Sequence, residues 1–215
     1  MKLSASCLFG VESLTADELR YMGCSDVKIE TGRVLFEGGA EEIAKTNIRL
    51  RTAERVQILA GEFPARSFDE LFEGVKALSW EEFIQKDSAF PVKGHCLDSA
   101  LMSVPDCQRI IKKAMATKLA SVYSLQRLPE TGSELQIRFT INKNIAAIYI
   151  DTSGAALHKR GYRPASAAAP LRETLAAAMV KISRYKGREV FCDPFCGSGT
   201  IAIEAALAAK NRAPG

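Results

Sequence analysis

The stretch Asp193-Pro-Phe-Cys-Gly-Ser-Gly-Thr200 follows a short apolar run and precedes an alanine-rich one. These flanking patterns predict a strand over Arg188–Cys192, a turn over Asp193–Thr200 and a helix over Ile201–Asn211. Glycines suit such a turn because they let the backbone bend sharply and let a ligand approach closely. The free N–H groups at the helix start would then face that ligand. This order is typical of the first unit of a doubly wound α/β sheet.

The residues around the turn narrow the choice of ligand. Gly197-Ser-Gly199-Thr-Ile-Ala202 fits the dinucleotide-binding pattern, which is weak evidence when taken alone. Asp193 stands at the end of the predicted strand, where a carboxylate would repel a pyrophosphate but suits a cationic ligand that carries an amino acid. The pattern therefore favours S-adenosylmethionine over a nicotinamide dinucleotide. The alternative is a glycine turn that serves only strand–helix packing.

The first sixty residues predict a strand–helix–strand–strand–helix–strand order. Apolar periodicity and the Thr31-Gly32 turn signal define the elements. The order is that of the split βαβ of ferredoxin-like modules, a motif that hosts many functions. The predicted strands are Ser4–Phe9, Asp26–Glu30, Arg33–Glu37 and Glu54–Ala60, and the predicted helices are Val11–Met22 and Ala40–Leu50.

A second compact α/β unit is predicted to follow. Ser67-Phe-Asp-Glu70 is a capping box that begins a helix, because serine and glutamate three residues apart can satisfy free backbone donors. The longest helix is predicted over Val104–Tyr123, with a buried face of Ile110, Ile111, Ala114, Met115, Leu119 and Val122. The other predicted elements are a helical turn at Trp80–Ile84, an extended segment at Ala89–Ser99 and a hairpin of Glu134–Asn142 with Ile145–Asp151.

Residues 153–169 differ in composition from the rest, since they are rich in Gly, Ala, Ser and Pro. This composition predicts a linker. A helix over Leu171–Tyr185, beginning at Pro170, is predicted to follow it.

The motifs, taken together, resemble those of one family. Asp193–Thr200 resembles the first motif of class I amino-methyltransferases that act on nucleic acids, and Pro170-Leu-Arg-Glu-Thr174 resembles the helix before that motif. Further stretches resemble THUMP-domain methyltransferases, closest to the large-subunit rRNA guanine-N2 type, which has also been called N6-adenine-specific DNA methylase. These stretches are Cys7-Leu-Phe-Gly-Val-Glu12, Leu50-Arg-Thr-Ala53, Phe68-Asp-Glu-Leu-Phe-Glu-Gly74, Ser103-Val-Pro-Asp-Cys107, Asp151-Thr-Ser-Gly154 and Leu157-His-Lys-Arg-Gly-Tyr-Arg163.

The resemblance implies an α/β fold whose N-terminal half is α+β. Residues 1–60 would form a ferredoxin-like domain, 61–152 an RNA-binding THUMP domain, 153–169 a linker, and 170–215 the first helix–strand–helix of a Rossmann-like methyltransferase domain. S-adenosyl-L-methionine would be the cofactor and structured RNA, large-subunit rRNA above all, the partner. The residues implied to bind the cofactor are Asp193, Phe195, Cys196, Gly197, Ser198, Gly199 and Thr200, with Pro170, Leu171 and Thr174 closing one side.

The chain departs from the family pattern in one respect. The family's Asn/Asp-Pro-Pro-Tyr/Phe motif, which holds the target base, does not occur, and the sequence contains no Pro-Pro pair. We therefore expect a chain truncated after its first methyltransferase motif, with no catalytic residue and no methyl transfer on its own. We also expect self-association, because an incomplete methyltransferase domain would leave apolar surface and a strand edge uncovered.

Basic residues predict where RNA would bind. Arg109, Lys112 and Lys113 share one flank of the longest helix, and Lys93 precedes it; Lys159, Arg160 and Arg163 surround Tyr162. Such groups can neutralise phosphates, and arginine beside an aromatic ring also suits stacking. The alternative is a solvated helix face and a plain basic linker.

Composition sets broader limits. The net charge of +4 is too small to indicate a nucleic-acid partner by itself, and no apolar run is long enough to span a membrane. The six cysteines form no Cys-x-x-Cys pair, so neither a metal site nor a disulfide framework is predicted, and a cytoplasmic location is expected. Two other functions stay open: a non-catalytic RNA-binding module and an adenine-specific DNA methyltransferase.

Overall fold

The computed structural model describes residues 1–162 and 171–214. The chain divides into two compact units. Unit 1 consists of Met1–Gln57 and Thr152–Gly215, and unit 2 of Ile58–Asp151. No helix among the described residues is long and apolar enough to cross a membrane.

The N-terminal part of unit 1 has the predicted strand–helix–strand–strand–helix–strand order. Its sheet order is β2-β3-β1-β4, with β3 antiparallel to both β1 and β2. Leu3, Val34 and Phe36 alternate inward from the strands and pack in the core with Leu19 of the first helix. The bounds are β1 Lys2–Cys7, α1 Glu12–Tyr21, β2 Ser25–Glu30, β3 Arg33–Glu37, α2 Ala40–Arg49 and β4 Ala53–Pro64.

Unit 2 is built on a sheet of order β4-β7-β6-β5, to which β4 contributes its residues from Ile58 onward. Strands β5 and β6 are parallel, and β6 and β7 form the predicted antiparallel hairpin. Trp80, Phe90 and Phe139 are fully buried in its core. The bounds are α3 Phe68–Lys76, a 3₁₀ turn at Trp80–Glu82, β5 Val92–Leu97, α4 Val104–Val122, β6 Ile137–Asn142 and β7 Ile145–Asp151.

The predicted capping box before α3 is present in altered form. The Ser67 hydroxyl accepts the Glu70 N–H at 3.2 Å, as predicted. The Glu70 carboxylate, however, accepts the N–H of Arg66 at 2.6 Å instead of that of the cap residue. Each side chain therefore satisfies one backbone donor at the helix start.

The buried face of α4 differs from the predicted one at its edges. Ile111, Ala114, Met115 and Leu119 are buried as predicted, and Cys107 joins them one turn earlier. Val122 is 42% exposed and Ile110 is only partly buried. The physical reason is that the stripe runs from 107 through 111 and 115 to 119, so that 110 and 122 fall on its margin.

The C-terminal part of unit 1 contributes two described helices, α5 Glu173–Ile182 and α6 Thr200–Ala209. Helix α5 is shorter than predicted because the backbone turns left-handed at Arg184, where φ is +59°. The predicted start at Pro170 lies outside the described residues.

The predicted strand over Arg188–Cys192 is wrong for this structure. Residues 188–192 have no strand partner among the described residues, and the side chain of Val190 is 97% exposed. A strand is defined by its hydrogen bonds to a neighbour, which an apolar sequence pattern alone does not supply.

Candidate functional site

The turn between residues 193 and 200 has the predicted glycine-dependent geometry. Gly197 and Gly199 have φ values of +52° and +73°, which favour glycine. Gly199 is the N-cap of α6, and its N–H donates to the Cys196 carbonyl at 2.7 Å. Two glycines with positive φ in three positions form the turn immediately before the helix.

The start of α6 offers backbone donors to a ligand. Gly199 has no side chain with which to cap the helix, and no side-chain cap replaces it. The Ser198 and Thr200 hydroxyls share a hydrogen bond of 3.1 Å. The first N–H groups of an α-helix have no partner within the helix, so this end attracts polar or anionic groups.

Asp193 brings a carboxylate to the same turn. Its Oδ1 accepts the Phe195 N–H at 3.2 Å. Its Oδ2 is shielded from solvent and has no hydrogen-bond partner among residues 1–162 and 171–214. A buried acceptor without a partner is costly, so this oxygen is suited to a donor that a ligand supplies.

Most other residues of the turn are open to solvent. Phe195 is 94% exposed, and Cys196, Gly197 and Ser198 are also exposed. An exposed aromatic ring beside the helix start offers an apolar surface for a ring-bearing ligand. The exposed Val190 and Phe195 are also compatible with self-association, which stays a prediction.

Thr174, which was predicted to line the cofactor site, is buried and binds a residue of β4. It is 1% exposed, and its hydroxyl donates to Oε1 of Glu54 on β4. Leu171 is half-buried, whereas Pro170 lies outside the described residues. Glu54 was not identified from the sequence, because its partners are distant along the chain.

Part of the predicted linker packs within unit 1. The N–H of Leu157 donates to the Glu54 carbonyl at 2.9 Å, and Nδ1 of His158 lies 2.7 Å from Glu54 Oε2. The exposed Lys159 lies between His158 and Arg160. The composition of residues 157–160 predicted a linker, but their hydrogen bonds hold them against β4.

Arg160 is a buried structural residue rather than an exposed cation. Its guanidinium lies 2.5 Å from Glu204 of α6, with the two side chains 1% and 0% exposed. It also donates to the Arg51 carbonyl at 2.5 Å, and the Tyr162 hydroxyl lies 2.7 Å from the other oxygen of Glu204. A guanidinium held in this way cannot contact a phosphate, so we exclude Arg160 from the RNA-binding residues. Arg163 lies outside the described residues.

The basic flank of α4 has its own neighbours. Arg109 is 77% exposed and lies 2.5 Å from Asp106. Nζ of Lys112 lies 2.6 Å from Oε2 of Glu130 and also lies over the ring of Phe90. Nζ of Lys113 lies 6.0 Å from the centre of the Phe72 ring. The three basic residues line one shallow groove.

Lys93 lies apart from that flank. Val92 and Cys96 of β5 pack on the core beneath α4. Because successive strand residues point to opposite faces, the exposed Lys93 lies on the other face of the sheet. The predicted basic residues of unit 2 therefore form two surfaces.

The cysteines are free thiols in every described position. Burial raises the pKa of Cys107 to about 12 and that of Cys7 to about 11, which keeps both thiols protonated. Cys192 and Cys196 are exposed next to the glycine turn. Among residues 1–162 and 171–214, no cluster of His, Cys, Asp or Glu could hold a metal ion.

Comparison with protein families gives three matches along the chain. The RlmL ferredoxin-like domain matches residues 2–57, and the THUMP domain matches residues 65–151. The RMKL-like methyltransferase domain matches residues 160–215.

Comparison with individual proteins gives long matches at high identity. The chain is 47% identical over 215 residues to "Putative RNA methyltransferase YpsC" of Bacillus subtilis (strain 168), which covers 99% of this chain and 56% of that protein. A crystal structure of "a predicted N6-adenine-specific DNA methylase" from Listeria monocytogenes str. 4b F2365 is 47% identical, with a TM-score of 0.95 over 100% of this chain and 56% of that one. The crystal structure of "SMU.472, a putative methyltransferase complexed with SAH" is 44% identical, with a TM-score of 0.93 over 100% and 57%. The chain thus spans about half the length of these relatives.

Proposed function

Because the chain belongs to the THUMP-domain methyltransferases, we propose that it is the RNA-binding and partial S-adenosylmethionine-binding portion of an RNA N-methyltransferase. The observation that carries the proposal is the buried, unpartnered Oδ2 of Asp193 beside the glycine-formed start of α6. The likeness to SMU.472, which was crystallised with SAH, supports this choice of cofactor.

The residues of the turn fit S-adenosylmethionine. The Asp193 carboxylate would accept a hydrogen bond from the cofactor, and the N–H groups at the start of α6 would bind its polar atoms. Phe195 would cover an apolar face. When bound, the cofactor supplies an electrophilic methyl group on a sulfonium. The role of these residues is to bind and orient it.

The RNA surface that we propose in unit 2 is the basic flank of α4. Lys159 of unit 1 is proposed as a separate cation that contacts RNA. Arg109 and Lys113 are its more accessible members, since Lys112 is bound to Glu130. The sequence resemblance and the THUMP match over residues 65–151 support structured RNA as the partner. We take large-subunit rRNA and guanine N2 as the target, on the resemblance alone. We also propose a cytoplasmic location, which the similarity to an RNA methyltransferase supports.

Charge reversal on α4 tests this surface. We expect R109E with K113E to lower the affinity for an rRNA fragment by about tenfold. The fall of log K with log salt concentration should also become less steep, by about 2 units of slope, because two phosphate contacts are lost. Filter binding at several salt concentrations measures both. K86E with K143E changes the net charge of the same unit equally and should leave affinity nearly unchanged. Equal losses in both pairs would count against a localised surface.

A second candidate is an adenine-specific DNA methyltransferase, which the name given to the Listeria relative favours. The same binding assay separates the two candidates if duplex DNA is used as a competitor. We expect RNA to be bound more tightly. A preference for duplex DNA would favour the second candidate.

We further propose that these 215 residues do not transfer a methyl group alone. The chain lacks the Pro-Pro pair of the family's target-base motif and spans 56% of YpsC. Incubation with radiolabelled S-adenosylmethionine and rRNA should leave the rRNA unlabelled. Labelling above that of a heat-denatured control would show this to be wrong.

A further inference from the structure

We propose that Glu54 is a positioning residue for the cofactor, which holds the first turn of α5 beside the cofactor turn through Thr174. This inference rests on the proposed function. Glu54 lies on β4 and does not belong to the residues 193–200 that would contact the cofactor.

Glu54 connects three parts of unit 1. Its Oε1 accepts the Thr174 hydroxyl at the start of α5. Its Oε2 lies 2.7 Å from His158 and 3.8 Å from the guanidinium of Arg172. The Glu54 side chain is 17% exposed, so these partners replace most of its contact with water. One carboxylate therefore joins β4, residues 157–160 and the first turn of α5.

The first turn of α5 depends on this contact. No side-chain hydrogen bond caps the helix at Arg172. A carboxylate near a helix N-terminus is stabilised by the partial positive charge there. A buried threonine in a helix often donates to a carbonyl of its own helix, as Thr46 of α2 does to Glu42. Thr174 instead donates outside its helix, which anchors the turn to β4.

The anchored turn lies at the same end of the helix pair as the cofactor turn. Helices α5 and α6 pack against each other. One cavity is lined by the ends of both helices. From α5 it takes Val180 and Lys181, and from the end of α6 and just beyond it takes Ala208 and Asn211. The two helices therefore run in the same direction, which puts the first turn of α5 beside the Gly199 start of α6. Loss of the Glu54–Thr174 contact would free one wall of the cofactor turn.

Substitution of Thr174 tests the inference. T174V removes the hydroxyl at nearly constant volume, and we expect about tenfold weaker binding of S-adenosylhomocysteine by calorimetry, the scale of one hydrogen bond to a charged group. T174S keeps the hydroxyl and should restore the affinity. Hydrogen–deuterium exchange without ligand should be faster over residues 193–202 in T174V than in the wild type or T174S.

Three further variants separate positioning from general stability. T46V removes another buried threonine hydroxyl and should leave affinity and exchange at residues 193–202 unchanged. E54A should weaken binding at least as much as T174V, and E54A with T174V no more than E54A alone, because both changes break one contact.

Unchanged exchange and affinity in T174V would overturn the inference. A wild-type chain that binds no S-adenosylhomocysteine would instead contradict the proposed cofactor site. In that case the exchange measurement alone decides the role of Glu54, and equal exchange in T174V and the wild type would still reject it.

Discussion

Replacement of Glu204 by alanine is expected to lower the free energy of unfolding by about 3–5 kcal/mol, because it leaves the buried guanidinium of Arg160 without a counter-charge. Tyr162 would lose its carboxylate acceptor as well. Urea denaturation followed by circular dichroism measures the loss. A large fall in stability would show that residues 157–162 and α6 form one folded unit.

Two matched variants make this prediction specific. E41A removes an exposed carboxylate from α2 and should change stability by about 0.5 kcal/mol or less. R160M with E204L replaces the ion pair with apolar groups and should recover much of the stability that E204A loses. If E204A costs no more than E41A, the ion pair is not buried in solution.

Substitution of Asp193 has the largest expected effect on cofactor binding. We expect D193N to weaken the affinity for S-adenosylhomocysteine by about 100-fold, because the carboxylate would hold the cofactor through charge-assisted hydrogen bonds. The melting temperature should not fall, since Oδ2 has no partner to lose within the part of the chain that the structure describes. Calorimetry and thermal unfolding measure the two effects.

A nearby acid serves as the control for Asp193. The exposed carboxylate of Glu189 accepts N–H groups of its own segment at 3.3 Å, which lowers its pKa. E189Q should therefore bind the cofactor as the wild type does. Equal losses of affinity in D193N and E189Q would indicate a nonspecific charge effect instead of a contact at Asp193.

Local patterns were sufficient to predict much of the fold. The order of elements in residues 1–60 follows from apolar periodicity and from Gly32, whose φ of +75° permits the β2–β3 turn. The turn at Gly197 and Gly199 was likewise predictable, because positive φ angles favour glycine and the sequence places it there. These features depend on neighbours within a few residues.

Features that depend on distant partners were not predictable in this way. Arg160 lies in a basic run, and its partner Glu204 is 44 residues away, so the sequence predicted an RNA-binding cation and not a buried ion pair. Glu54 meets His158 and Thr174 across 104 and 120 residues. The predicted strand over residues 188–192 failed for the same reason, since a strand requires a partner that its own sequence does not specify.

The most direct test of the cofactor site is a calorimetric titration of this chain with S-adenosylhomocysteine. We expect saturable binding of one molecule per chain, with an affinity that falls about 100-fold in D193N and is kept in E189Q. Such a result would support residues 193–200 as a cofactor-binding turn with Asp193 as its acceptor. No saturable binding by the correctly folded wild-type chain, or equal binding by D193N, would contradict that assignment.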